Sequence, residues 1–116
     1  MDELPAFTLP SGLPATLQEI IRDEKPDGMF TYLRFRFVAP GLKAGAAKDF
    51  EARATDLAFL CNGYALSQVS NRLGPDEKIV ISLSDRETEF GAPDADAVQI
   101  FETYHVENGA CIWEDF

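Results

Sequence analysis

Apolar and polar residues alternate along the first third of the chain, which is the period of a β-strand with one buried face. The alternation is clearest in residues 30–38, where Leu33, Phe35 and Phe37 alternate with Tyr32, Arg34 and Arg36. A weaker form of it occurs in residues 15–21. Residues 25–28 read Lys-Pro-Asp-Gly, which places Pro and Gly as a tight turn needs them. We therefore predict that these two runs form a hairpin.

Helical spacing replaces the alternation near Ala46. Apolar residues then recur at separations of three and four and form one stripe: Phe50, Ala54, Leu57, Ala58, Cys61 and Ala65. The remaining positions hold Asp49, Glu51, Arg53 and Asp56. Because Gly costs about 1 kcal/mol against Ala inside a helix, Asn62-Gly63 predicts a kink or an end. A second helical piece over residues 64–73 then stops at Gly74-Pro75.

Three further strands are predicted after the helix, over residues 79–84, 98–106 and 110–115. Asn108-Gly109 joins the last two, and it is a strong hairpin signal because both residues tolerate positive φ. The predicted order is β-β-α-β-β-β. We expect an α+β fold in which an antiparallel sheet of about five strands packs on the helix over residues 46–73.

Prolines and glycine recur in the first segment of the chain, at Pro5, Pro10, Gly12 and Pro14. Such residues interrupt regular structure. We predict an extended leader over residues 1–14, followed by a single domain over residues 15–116. The first residues lack the basic start and the apolar segment of a signal peptide. The protein is thus expected to be cytoplasmic as written, and periplasmic if a signal peptide has been removed.

The composition of the chain argues against two classes of function, nucleic-acid binding and membrane insertion. A length of 116 residues with 46% apolar content suffices for one core. The net charge is −10, and the ten basic residues are scattered among twenty acidic ones. Binding to nucleic acid needs clustered Lys and Arg, so no nucleic-acid partner is predicted. The apolar runs are short, so no membrane insertion is predicted.

The two cysteines leave two alternatives open. Cys61 lies on the apolar stripe of the helix and Cys111 in the last strand, so helix-on-sheet packing would bring them together. A bridge would close a loop of about 50 residues and stabilise the fold by roughly 4 kcal/mol. The alternative is two unlinked, buried thiols. Their separation, with no second histidine nearby, argues against zinc. No metal site and no cofactor is predicted.

The candidates for catalysis do not form a known motif. His105 is the only histidine, and no serine sits in a Gly-x-Ser-x-Gly elbow. Asp85, Glu87 and Glu89 form an acidic run that is read as a solvated strand end, and Asp94-x-Asp96 lacks the spacing of a calcium loop. We assign no catalytic residue. A small hydrolase or lyase that uses Asp85, Glu87 or His105 is kept as the alternative function.

The favoured function is a non-enzymatic binding or protein-interaction module, with an unknown protein or small molecule as partner. Its predicted contact surface is the outer face of the sheet together with residues 85–90, and Arg, Tyr and Trp are typical of interface hot spots. The candidate binding residues are Tyr32, Arg34, Arg36, Asp85, Arg86 and Trp113. Trp113 would contribute only if it lies on that face. The competing interpretation is a solvated sheet face with charge ladders.

Several segments together resemble one family: residues 10–12 (Pro-Ser-Gly), 33–40 (Leu-Arg-Phe-Arg-Phe-Val-Ala-Pro), 79–86 (Ile-Val-Ile-Ser-Leu-Ser-Asp-Arg), 89–91 (Glu-Phe-Gly) and 111–116 (Cys-Ile-Trp-Glu-Asp-Phe). The chain is similar to a small uncharacterised alphaproteobacterial protein family, some of whose members are labelled acetolactate synthase. That enzyme is a large thiamine-diphosphate protein, and this chain has neither its length nor a diphosphate-binding motif, so the label is not transferred.

The resemblance has three further implications. A regulatory subunit of a larger enzyme is conceivable by size, although the β-α-β-β-α-β order expected of the small acetolactate synthase subunit differs from the order predicted here. Some members of the family carry an export signal, which favours the disulfide. The family supplies no catalytic residue that could be carried over to this chain.

Overall fold

The computed structural model describes residues 4–43, 49–69 and 73–114. Within these ranges the chain forms six strands and one interrupted helix. In chain order they are β1 (Ala6–Thr8), β2 (Pro14–Asp23), β3 (Thr31–Val38), α1 (Phe50–Leu60), a π-helical turn (Cys61–Ala65), α2 (Leu66–Val69), β4 (Glu77–Ser84), β5 (Gln99–Glu107) and β6 (Ala110–Trp113).

The strands form one mixed sheet in the order β1-β2-β3-β4-β5-β6, which curls into a half-barrel. Neighbouring strands are antiparallel except β3 and β4, which are parallel. The prediction of about five antiparallel strands was therefore wrong in both number and direction. Side-chain periodicity shows which residues share a face, but it does not show that a helical crossover returns the chain to start a parallel strand.

Both predicted hairpins are confirmed. β2 pairs with β3 across the turn over residues 25–28. β5 pairs with β6, and the turn between them holds Asn108 at φ 51° and Gly109 at φ 75°. Positive φ at both turn residues matches the right-handed twist of the strands that they connect.

The core lies between the helix and one face of the central strands. Leu57, Leu60 and Cys61 of the helix are fully buried there against Phe35 and Ile81 of the sheet. Tyr64, in the π-helical turn, packs its ring edge-on against Phe35 and Phe37 of β3 and tilted against Phe7 of β1. The predicted assignment of alternate β3 and β4 residues to the core is confirmed: Phe35, Phe37, Ile79, Ile81 and Leu83 are all buried.

The helix agrees with its prediction where the structure describes it. Asp49 caps α1, because its side chain accepts a hydrogen bond from the backbone N–H of Ala52. The irregularity predicted at Asn62-Gly63 is present as the π-helical turn. The predicted helical residues 46–48 and 70–72, and Asp115 of the last strand, lie outside the described residues.

Part of the predicted leader is regular structure. β1 lies within residues 1–14 and pairs antiparallel with β2. The loop after β1 is held to the helix by Asp56, whose carboxylate accepts hydrogen bonds from the backbone N–H of Ser11 at 3.0 Å and from its hydroxyl at 2.7 Å. Arg53 donates to the same carboxylate at 2.9 Å. Arg53 and Asp56, predicted on the polar side of the helix, are thus buried by the N-terminal loop.

A disulfide joins Cys61 of the helix to Cys111 of β6. Of the two alternatives left open by the sequence, the bridge is the one present. The Asn62 side chain adds a second tether, because its carbonyl oxygen accepts the backbone N–H of Cys111 at 3.0 Å. The helix is therefore fastened to the last strand at neighbouring residues.

Removing the disulfide is predicted to destabilise the protein without changing its fold. The double substitution Cys61→Ser and Cys111→Ser should lower the free energy of unfolding by about 2–4 kcal/mol, because the 50-residue separation is no longer constrained in the unfolded chain. Urea denaturation of the variant and of the reduced and oxidised parent measures this. Equal midpoints for the reduced and oxidised parent, with thiol counts verified, would contradict it.

The buried Asp56 is predicted to contribute more to the stability of the fold than Ser11, the loop residue that donates hydrogen bonds to it. Asp56→Ala should destabilise the protein by about 3–5 kcal/mol, since it takes the carboxylate away from the buried Arg53 guanidinium. Ser11→Ala should cost only about 1 kcal/mol, because the backbone N–H of residue 11 still donates to Asp56. Denaturant midpoints decide this, and equal effects of the two substitutions would refute it.

Candidate functional site

The predicted binding residues of β3 lie on the face of the sheet that the helix does not cover, which we call the outer face. Residues paired across neighbouring strands share a face, and Arg34 pairs with Val80 while Arg36 pairs with Ser82. Their strand neighbours Phe35 and Ile81 point into the core. The outer face thus carries polar side chains on the same strands that bury their alternate residues.

The loop of residues 85–98, between β4 and β5, contacts the outer face through Thr88. The Thr88 hydroxyl accepts hydrogen bonds from the Arg36 guanidinium at 2.8 Å and from the Gln99 amide at 3.0 Å. The Thr88 carbonyl accepts the Gln18 amide at 2.8 Å. Three side chains from three strands therefore hold one buried loop residue.

A β-bulge in β2 contributes to this arrangement. The register between β2 and β3 shifts between Leu17 and Glu19, so Gln18 is an extra residue without a partner in β3. A bulge redirects side chains. Here Gln18 reaches Thr88 while its neighbour Glu19 pairs with Arg36. The regular alternation predicted for residues 15–21 is interrupted at this bulge.

Each arginine of β3 is held by a carboxylate and an aromatic ring. Arg34 donates to Asp23 at 2.9 Å, and its guanidinium lies 5.2 Å from the Tyr32 ring centre and 5.3 Å from that of Phe90. Arg36 pairs with Glu19 and lies 5.6 Å from the Phe90 ring centre. Cation–π contacts of this kind attract the guanidinium to the face of the ring and help to hold it in place. Both arginines are therefore positioned and charge-paired before any ligand arrives.

A groove of about 460 Å³ separates the loop from the sheet. Its lining combines apolar side chains with a few polar ones, as in many ligand pockets. Phe101 is 64% exposed and Phe90 44% exposed, so both rings present free surface. The groove is lined chiefly by Arg34, Arg36, Val80, Ser82, Phe90 and Phe101. The groove thus brings Arg34 and Arg36 together with residues 88–90 of the predicted stretch 85–90.

Tyr32 shares the outer face but belongs to the hairpin turn rather than to the groove. Its hydroxyl donates to Asp27 at 2.8 Å. The backbone N–H groups of Phe30 and Met29, followed by this hydroxyl, lower the pKa of Asp27 to about 2. The same hydrogen bond raises the pKa of Tyr32. Tyr32 is a structural contact of the turn and also supports Arg34.

Asp85 and Arg86 pair with each other at the base of the loop. Arg86 donates to Asp85 at 3.2 Å, and the backbone N–H of Val98 donates to the same carboxylate at 3.0 Å. These bonds, the one from Arg86 first, lower the pKa of Asp85. Neither residue lines the groove. Arg86 thus forms an ion pair with its neighbour in the sequence and lies outside the groove.

Trp113 lies on the opposite face from the arginines. It pairs with Tyr104, which is buried against the helix, and its indole N–H donates to Glu102. The condition under which Trp113 was a candidate, that it lie on the outer face with Arg34 and Arg36, is therefore not met. The register between β5 and β6 sets this placement, because it puts Trp113 opposite the inward-facing Tyr104.

The structure does not bring the candidate catalytic residues together. His105 and Asp85 lie at opposite ends of the β4–β5 pair, and six strand residues correspond to roughly 20 Å. His105 is held by Glu114 at 3.0 Å and Glu107 at 3.2 Å. Glu87 is exposed on the loop. The described residues therefore form no pocket that holds His105 with either acid.

Sequence reasoning missed the residues that hold the loop. Thr88 stands between two exposed glutamates, and nothing in that pattern indicates burial. Gln18 was predicted as an ordinary strand residue. In the part of the chain that the structure describes, no group of three or more His, Cys, Asp or Glu residues could hold a metal ion. No helix among those residues has the length and apolar character needed to cross a membrane.

Comparison with known proteins places the chain in a family without assigning it a function. The chain matches no curated protein and no solved structure. A family model described as a family of unknown function (DUF6497) matches residues 1–116. The match covers the whole chain and agrees with the resemblance to an uncharacterised family. The protein belongs to DUF6497, a family whose function is unknown.

Proposed function

We propose that this protein is a non-enzymatic binding or protein-interaction module whose ligand occupies the groove between the outer face and the loop of residues 85–98. The observation that carries the proposal is the Thr88 network, which fastens the loop beside an open groove. A loop held by side chains from separate strands pre-organises its groove. Pre-organisation lowers the entropy cost of binding.

The charges around the groove favour an uncharged ligand with one ring and one hydrogen-bonding group. Both guanidiniums already face carboxylates, so an anion would compete with Glu19 and Asp23. Phe90, Phe101 and Val80 offer an apolar surface, and the Ser82 hydroxyl accepts or donates beside them. A small phenolic compound, or a tyrosine side chain of a partner, has this chemistry.

The position of the groove relative to the candidate catalytic residues favours a binding function over hydrolysis. Neither Asp85, Glu87 nor His105 lines the groove, so a ligand held there does not reach them. General acid–base catalysis requires such a group within hydrogen-bond distance of the substrate. A regulatory subunit of a larger enzyme stays a prediction, and it would use the groove in the same way.

We predict that phenol binds in this groove and that benzoate does not. Amide resonances of residues 85–101 should shift on titration with phenol. Ser82→Leu fills the groove floor and should weaken phenol binding about tenfold or more. Thr103→Leu is the matched control, because Thr103 lies on the same face outside the groove. Two-dimensional NMR titration of the three proteins measures both effects.

Two outcomes would oppose the proposal. Equal phenol affinities for the two leucine variants would show that the ligand lies elsewhere on the outer face. Tighter binding of benzoate than of phenol would show that the arginines, and not the apolar surface, select the ligand. Thermal unfolding of each variant establishes that the comparison concerns folded protein.

We also propose that the protein works in an oxidising compartment, such as a bacterial periplasm. The Cys61–Cys111 disulfide supports this, since such bonds persist mainly outside the reducing cytosol. The resemblance to a family in which some members carry an export signal points the same way.

The compartment proposal predicts the thiol state in the native cell. Acid quenching followed by alkylation should leave Cys61 and Cys111 unmodified until a reductant is added. Mass spectrometry of the peptides that contain them measures the modification. Alkylation of both cysteines without reductant would place the protein in a reducing compartment instead.

A further inference from the structure

A second groove lies on the helix side of the sheet, between α1 and β5. Its volume is about 360 Å³. Phe50 at the start of α1 is 81% exposed and Trp113 is 51% exposed, so two aromatic rings border it without being covered by the described chain. Ala54 leaves space between the helix and the strand because its side chain is a single methyl group. The floor is formed by Leu57 and Ile100.

The polar side chains that line this groove are Glu102, Gln99 and Arg53, and the Arg53 guanidinium is already paired with Asp56. Glu102 supplies the carboxylate. Glu102 pairs with Ile81, so it projects from the helix side of β5 and lines the groove beside Trp113. One of its oxygens accepts the indole N–H of Trp113. Among the residues that the structure describes, the second oxygen accepts no hydrogen bond. A half-exposed carboxylate beside aromatic side chains attracts a cationic or N–H donor partner, because hydrogen bonds to an ionised acceptor are stronger than those to a neutral one.

The edge of β5 next to this groove has no strand partner in the described chain. β6 pairs only with the second half of β5, from Tyr104 onward. The carbonyl of Thr103 accepts the N–H of Glu114, so the backbone groups of Thr103 point toward the β6 side. In an antiparallel pair every second residue points the same way. The N–H and C=O of Gln99 and Phe101 therefore face the edge of β5 that has no strand partner among the described residues.

We propose that an extended basic peptide adds to β5 as a strand along Gln99 and Phe101 and places a Lys or Arg side chain in this groove on Glu102. Strand addition supplies backbone hydrogen bonds, and a neighbouring pocket that takes alternate side chains supplies specificity. The cation meets a carboxylate flanked by Phe50 and Trp113, and aromatic faces attract cations.

The net charge selects between a basic peptide and a second copy of the chain as occupant. Two copies with a charge of −10 each repel one another, whereas a basic segment is attracted and steered toward the edge. The inference rests on Glu102 and Trp113, which do not line the outer-face groove, although Gln99 and Phe101 of the β5 edge line both grooves.

Trp113 is the only tryptophan of the chain, so its fluorescence reports directly on the site. The probe is a short capped peptide in which Lys and Thr alternate. We expect a saturable change in Trp113 fluorescence, absent when every Lys is replaced by Gln. Glu102→Gln should weaken binding about tenfold, because it removes the charge that faces the ammonium group. Glu107→Gln, which changes the net charge equally at the other end of β5, should leave the affinity within about twofold.

Two further probes separate strand addition from simple charge attraction. Methylating alternate backbone nitrogens of the peptide should abolish binding, since those N–H groups would pair with the β5 edge. Ala54→Leu fills the groove from the exposed side of α1 and should therefore weaken peptide binding. This variant tests the site independently of Glu102→Gln, in case that substitution prevents folding. Ser82→Leu, in the outer-face groove, should leave peptide affinity unchanged.

Several results would overturn the inference. Equal weakening by Glu102→Gln and Glu107→Gln would reduce it to non-specific attraction. Undiminished binding of the methylated peptide would exclude strand addition. A dimer in light scattering whose formation alone shifts Trp113 fluorescence would make a second copy the occupant. Loss of peptide binding in Ser82→Leu would place the peptide on the outer face.

Discussion

β3 and β4 lie side by side in the middle of the sheet and run in the same direction, so the chain between them must return to its starting end. The returning segment contains α1 and the turns that follow it. It covers one face of the central strands and buries Phe35, Ile79 and Ile81. No helix within residues 4–43, 49–69 and 73–114 covers the other face. Because of that asymmetry, polar side chains on the outer face of the same strands contact the loop of residues 85–98 instead of the helix.

The outer face accommodates half-buried arginines through local pairing. Arg36 is only 12% exposed, and a guanidinium at that depth needs its charge and its N–H groups satisfied. Glu19 supplies the charge and Thr88 a hydrogen bond, and the bulge at Gln18 brings a third strand to the same loop residue. The groove exists because the loop is fastened at Thr88 and presents the Phe90 ring beside the arginines.

Two tethers fix the helix near the middle of the described segment, at Asp56 and at Cys61. Asp56 ties it to the loop after β1, and the disulfide with its neighbour Asn62 ties it to β6. The groove beside Glu102 lies between α1 and β5, so both tethers hold its walls in place. The outer groove and this second groove share Gln99 and Phe101 of β5. One half-paired strand therefore borders both sites.

The sequence by itself determined which residues share a face of β3 and of β4, where the helix becomes irregular, and that Asn108-Gly109 forms a hairpin, because periodicity and turn chemistry are local properties. It placed Arg34 and Arg36 on one face, and it left the cysteine pairing open. Only the tertiary structure decided that β3 and β4 are parallel, that Asp56 and Thr88 are buried, and that Trp113 lies away from the arginines. These depend on which segments become neighbours, and a strand's own pattern is compatible with several neighbours.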